Sequence, residues 1–327
     1  MTLSDNAKAV IALTTRLGDP SRPSLSPGEW HRLSVALADA GLAPADLFRA
    51  DLSVGGSATS ALSVELADSV TVLLASASVA TVAAGALGRK GIWIQTIADE
   101  NYPAALSRLG SNAPPVLFGV GDRGLLDRGG VAIVGSRNVA ELGARFAEAV
   151  ASRAVELGHP VISGGARGVD QLAMNAAFRT EGGVVGVLAD SLESRVRKPD
   201  VLQALDRGGV CLVTQQAPAT GFSVGAAMAR NKLIYALADL TVVVASDLDT
   251  GGTWAGAVEA LKHGYGAVAV WRGDGEGSGN SALEHRGAAA ITTPDHLDKL
   301  LGNPRQLSDA GALEQLSILD PGPTSGR

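Results

Sequence analysis

From residue 131 onward the chain alternates short runs of apolar and β-branched residues with longer stretches whose apolar positions recur every three or four residues. The runs occupy 131–134, 160–163, 184–188, 210–213, 241–245 and 267–271. They are short and rich in β-branched or apolar residues, so they predict strands buried on both faces, as in a parallel sheet. Between the first two, Leu142, Phe146, Val150, Ala154 and Leu157 line one face of a predicted helix. Similar helical stretches fill 169–180, 224–237 and 253–262. Strands alternating with helices predict right-handed βαβ units and an α/β fold, a doubly wound, mostly parallel sheet covered on both faces.

The first 90 residues have a different rhythm. Trp30, Leu33, Leu37, Leu42 and Leu47 give 29–49 an amphipathic helical pattern, and a Ser/Gly-rich break follows at 53–60. This predicts a small helical domain over 1–90, an α/β domain over 91–301, and a flexible Gly-, Pro- and Ser-rich tail over 302–327. No internal repeat is visible. The stretch 69–87 carries no charge, but Ala, Ser, Thr and Gly dominate it, so it predicts a helix packed in protein rather than a membrane span.

Composition narrows the chemistry. Lys and Arg number 27 against 33 Asp and Glu, a net charge of −6, which excludes a uniformly basic surface; any polyanion site must be local. Cys211, the single cysteine, excludes a disulfide framework and any multi-cysteine metal site. With no basic-then-apolar leader at the N-terminus, a cytoplasmic protein is expected.

Glycine is the outlier: 41 of 327 residues, against roughly 7% in average proteins. Twenty-five of them lie between 129 and 287, many directly after a predicted strand, at the edge where doubly wound sheets bind ligands. The first such turn is Gly135-Ser136-Arg137. Gly135 permits close backbone approach, Ser136 can cap a helix or bind an oxygen, and Arg137 can fork onto a phosphate at a helix N-terminus. A tight turn without ligand is the competing reading. Gly-x-Gly-x-x-Gly is not met at this turn, where positions 137 and 140 are Arg and Ala, and no Walker pattern is present, which disfavours a dinucleotide clamp.

The second turn, Ser163-Gly164-Gly165-Ala166-Arg167-Gly168-Val169-Asp170, surrounds an arginine with three glycines, a sequence suited to an anion-binding nest of backbone N–H groups. Asp170 has two readings, a charge favourable to the helix N-terminus or a polar contact to ligand. Third comes Arg230-Asn231-Lys232, inside an apolar, Ala-rich helix. Fourth is Gly251-Gly252-Thr253, with Thr253 expected as a helix N-cap. Together the four predict an anionic ligand. The histidines are scattered, no metal site or cofactor is expected, and Glu259 is the one carboxylate retained as a catalytic candidate.

The chain resembles the DNA-processing protein A (DprA/Smf) family over roughly 91–270. The resemblance is carried by Gly91-Ile-Trp-Ile94, Tyr102-Pro103, Leu106, Pro115–Gly121, the 131–137 and 163–170 segments, Phe222, Arg230–Ile234 and Leu237 in order. It implies an extended Rossmann-like domain that binds single-stranded DNA, loads the recombinase RecA, forms a homodimer and acts in recombination or DNA uptake without enzymatic turnover. The family's DNA pocket maps onto Ser136, Arg137, Gly164, Arg167, Arg230, Asn231 and Lys232. Three features depart from the family: Lys232 replaces a second arginine, Arg197-Lys198-Pro199 stands where Tyr-Pro is usual, and Thr214–Pro218 lacks the usual Ser-Glu. The alternative is a nucleotide-binding sensor or a LOG-like nucleoside-monophosphate phosphoribohydrolase, whose Gly-Gly-x-Gly-Thr-x-x-Glu signature 251–259 approaches without matching its spacing.

Overall fold

The structure is a computed structural model, and it describes residues 3–49 and 62–302. The expected break at 53–60 and nearly all of the expected tail lie outside the described residues. Four helices come first: α1 (Asp5–Thr14), α2 (Pro27–Asp39), α3 (Val64–Leu74) and α4 (Ala77–Arg89). Strands β1 (Trp93–Thr96) and β2 (Val116–Gly121) follow. The alternating part then runs β3 (Val131–Val134), α5 (Glu141–Glu156), β4 (Val161–Ser163), α6 (Val169–Arg179), β5 (Val184–Val187), α7 (Leu192–Arg195) and α8 (Pro199–Arg207). It continues with β6 (Val210–Thr214), α9 (Val224–Leu237), β7 (Leu240–Val243), α10 (Gly251–His263), β8 (Ala267–Trp271), α11 (Asn280–His285), β9 (Ala289–Ile291) and α12 (His296–Gly302).

The chain divides into two compact units. One comprises Met1–Asp127 and Val187–Arg230, the other Arg128–Gly186 and Asn231–Arg327. In the first, serines cap α1, α2 and α3. Ser4 Oγ accepts from Ala7 N at 3.1 Å, and Ser26 with Glu29 forms a reciprocal capping box with Pro27 in the first turn. α2 is shorter than the 29–49 pattern predicts, because Gly41 turns the chain at φ +68° and only a 3₁₀ turn, Pro44–Phe48, follows. The uncharged 69–87 stretch forms parts of α3 and α4, which bury Val70, Leu73, Ala80, Ala84 and Leu87 and leave Val72, Val79 and Val82 exposed. Among the described residues no single helix is long and apolar enough to cross a membrane.

The strands of this unit pair antiparallel, β1 with β2 and β2 with β6. Gly119 makes the first pairing possible: a Cβ there would lie 2.2 Å from the Trp93 ring lying over it.

In the second unit the strands are all parallel, in the order β5-β4-β3-β7-β8-β9. Val131, Ala132, Ile133, Leu240, Val242 and Val243 are buried along the centre, as two-sided cover by helices requires. β3 leads onward to β4 on one side, while its other neighbour β7 leads to β8 away from it. Here the winding reverses, and in open α/β sheets the crevice outside the carboxyl ends of two such strands is where ligands bind.

Candidate functional site

The loops leaving β3 and β4 are nested in one another. After β3, Ser136 N donates to Ala245 O on the β7 side at 2.9 Å, and Ser136 Oγ accepts from Asn138 N at 3.1 Å. This serine-closed turn presents Arg137 and Asn138 to solvent. The helix does not begin at Ser136, as its capping role predicted: α5 starts at Glu141, with Ala140 in the N-cap position. The serine side chain is spent on its own turn.

The β4 loop fits beneath. Gly165 and Gly168 have φ +64° and +87°, values that favour glycine. A Cβ on Gly168 would lie 2.4 Å from Ser136 O and 2.8 Å from Arg137 Cα. One on Gly135 would lie 2.7 Å from a Val169 methyl. These glycines let two backbones approach where any side chain would hold them apart. Val169 N donates to Ser136 O at 3.3 Å, and Arg167 Nη2 donates to Asn138 Oδ1 at 3.0 Å, closing the nest at its rim.

Asp170 is buried beneath this loop. Its Oδ2 accepts from Gly164 N at 3.2 Å and Ala166 N at 3.4 Å. Neither sequence reading of Asp170 included this role of organising its own loop. It orients the turn while drawing two of its amides away from solvent. Ser163 is also buried, its hydroxyl donating to Ile133 O at 2.6 Å, so it serves the foundation rather than the rim.

On α9, Arg230 is only 8% exposed and its Nη1 donates to Val187 O at 3.0 Å. Asn231 Nδ2 donates to Gly252 O at 3.1 Å, and Lys232 Nζ lies 2.8 Å from Glu259 Oε1. Thr253 is not the N-cap of α10. That position falls on Thr250, whose side chain makes no capping bond, and the entry runs through Asp249 at φ +54° and Gly251 at φ +82°. The first turn of α10, with Gly251 and Gly252 exposed, therefore keeps its amides without a side-chain cap. Burial, and after it the Asp170 carboxylate, pushes the Tyr235 phenol well above its ordinary range, so it stays neutral beside α10.

A residue absent from the sequence reading holds the β7 loop in place. Asn280 is fully buried; its Nδ2 donates to Val244 O at 2.9 Å and Trp271 O at 2.8 Å, and its Oδ1 accepts from Ser246 N at 2.9 Å. Gly277 packs so closely that a Cβ would lie 2.2 Å from Ser246 N. The Gly-x-Gly-x-Gly-Asn alternation at 275–280 was the available signal. By composition that stretch reads only as a loop. Among the described residues no group of three or more His, Cys, Asp or Glu could hold a metal ion, and burial raises the Cys211 thiol far above its ordinary range.

Two arginine-bearing glycine loops nested at the switch point of a doubly wound sheet define a Rossmann-like protein. The family model described as DNA recombination-mediator protein A matches residues 93–302, and the chain belongs to that family. It is 27% identical over 213 residues to the DNA processing protein DprA of Bacillus subtilis, spanning 64% of this chain and 71% of that protein. The X-ray structure of DprA from Streptococcus pneumoniae aligns with a TM-score of 0.67 over 92% of this chain and 98% of that one, at 21% identity, a likeness of fold. DNA processing protein A from Helicobacter pylori, whose structure is described for its single-stranded DNA binding mode, aligns with a TM-score of 0.55 at 27% identity, over 64% of this chain and 96% of that one.

Proposed function

We propose that this chain is a single-stranded DNA-binding, DNA-processing protein that holds the phosphate backbone at the nested loops after β3 and β4. The observation that carries the reading is the rim formed by Arg137, Asn138 and Arg167, with Arg167 tied to Asn138 at 3.0 Å. Both arginines are exposed, and each offers a forked set of donors suited to phosphate oxygens. Gly135, Ser136, Gly164, Gly165, Gly168 and Asp170 shape the loop backbone, and Ser163 anchors it from below. Asn231, Lys232, Gly251, Gly252 and Thr253 extend the site along α9 and α10. Arg230, buried against the Val187 carbonyl, acts as a support rather than a surface contact.

Phosphate contacts carry no base sequence, so binding is indifferent to sequence. Membership of the family supports action in recombination or DNA uptake, delivery of the strand to RecA, a homodimer and a cytoplasmic location. The function is binding, not turnover.

Fluorescence anisotropy tests the reading, with oligo-dT, a duplex of the same length and AMP compared across a salt series. Tight, salt-dependent binding of oligo-dT that weakens in Arg137→Ala/Arg167→Ala supports it. Release of adenine from AMP, abolished by Glu259→Gln, supports a phosphoribohydrolase instead.

A further inference from the structure

Helices α9 and α10 meet along a face that two glycines leave open. Gly252, Gly256 and Glu259 are spaced four and three residues apart, so they share one side of α10. A Cβ on Gly252 would lie 3.3 Å from Asn231 Nδ2, and one on Gly256 3.0 Å from the Tyr235 ring. This close approach brings Lys232 Nζ to 2.8 Å from Glu259 Oε1, with the two side chains 26% and 32% exposed. A half-buried pair is screened less by salt than one at the open surface.

We infer that Glu259 is a specificity-determining residue, a built-in competitor that occupies Lys232 until a phosphate displaces it. The inference rests on the phosphate-binding reading above. Asn231, next to Lys232, reaches the first turn of α10 through its bond to Gly252 O. Lys232 carries its ammonium on a flexible four-carbon stem that can reorient once it leaves Glu259. To bind phosphate, the ammonium must exchange one anion for another, and the abandoned carboxylate then repels the newcomer. A mononucleotide meets that cost with a single phosphate. A strand already held at Arg137 and Arg167 presents its next phosphate at high effective concentration and overcomes it. Glu259 thus lowers affinity for every anion but penalises isolated phosphates most, which favours a polynucleotide over the nucleotide pool.

The test uses the full chain, with labelled oligo-dT and AMP as probes, and compares wild type with Glu259→Gln, Lys232→Gln and the double variant. Glu148→Gln serves as a control that removes one carboxylate from the α5 surface. Glu259→Gln is expected to bind oligo-dT roughly threefold to tenfold tighter at low salt, with the slope of log affinity against log salt little changed, because the strand reaches Lys232 in both proteins. Its affinity for AMP should rise by a larger factor. The double variant should lose both gains, and Glu148→Gln should change neither. If Glu259→Gln melts early, Glu259→Ala carries the same expectation, and melting curves establish which variants are folded. Wild type that binds oligo-dT while the folded Glu259 variants match it in affinity overturns the inference and leaves the reading standing. Wild type that does not bind oligo-dT overturns both.

Discussion

Arg167 reaches from the β4 loop to the β3 loop and donates to the Asn138 side-chain oxygen at 3.0 Å. One neutral acceptor leaves the guanidinium most of its donors and its whole charge. The bond therefore aims the arginine without neutralising it, as a pre-formed phosphate contact requires. Arg167→Ala should lower oligo-dT affinity and flatten the salt slope by about 0.7, the share of one phosphate. Because Arg167 is exposed, the melting temperature should hardly move. Asn138→Ala keeps the charge but frees the arginine, so affinity should fall less and the slope should stay. Titrations at several salt concentrations separate the two.

Gly168 is a position where the nest tolerates no side chain. Its φ of +87° already strains an L-residue, and the added Cβ would meet Ser136 O at 2.4 Å, a backbone atom unable to swing aside. Gly168→Ala should destabilise the fold by about 1–3 kcal/mol in denaturant titration and weaken DNA binding as the loops part. Gly158→Ala is the matched control. Its φ is also positive, +81°, but nothing lies within 4 Å of its Cβ, so it should lose stability without losing affinity.

Asp170 holds the β4 loop through the amides of Gly164 and Ala166. Asp170→Ala should leave the buried Gly164 amide and the half-buried Ala166 amide without that acceptor and cost about 1–3 kcal/mol. Removing a negative charge beside a phosphate site would by itself tighten binding. Weaker binding by Asp170→Ala would therefore show that loop order outweighs local charge; hydrogen exchange at Gly164 and Ala166 should accelerate in parallel.

Much of this was readable from the chain alone. The runs at 131–134, 184–187 and 267–271 are strands because short β-branched or apolar segments can bury both faces, and α5 follows from its spacing of Phe146, Val150 and Ala154. The glycine turns were readable because backbone approach leaves a compositional mark. β1 and β2 were not, because their residues are ordinary and the pairing depends on Trp93 lying over Gly119, a tertiary fact. Residue 210–213 suggested only a buried strand, and its antiparallel pairing with β2 required that partner to be known. Asn138, Asn280 and the tie between Lys232 and Glu259 were hidden too, since each meets its partner only once distant loops or helices have packed.

Arg153 on α5 pairs with Asp298 on α12 at 2.5 Å, and with Glu156 at 2.8 Å. The arginine's hydrogen bond, chiefly, holds the Asp298 carboxyl below its ordinary value of 3.8. A carboxylate with a lowered folded value stabilises fully above the unfolded value and loses that contribution as pH falls through the folded one. The attachment of α12 should therefore be insensitive to pH near neutrality and weaken only below about pH 3.8. Hydrogen exchange across 296–302 as a function of pH measures this, and Arg153→Ala should show the weakened attachment at every pH.

The central claim is that the nested glycine loops bind the phosphate backbone of a single strand. The most direct measurement is oligo-dT anisotropy for wild type and Arg137→Ala/Arg167→Ala over a salt series, with a melting curve for each protein. The account predicts an unchanged melt, markedly weaker binding and a slope shallower by about 1.4, the share of two phosphates. A folded double variant that binds oligo-dT with wild-type affinity and slope would contradict it.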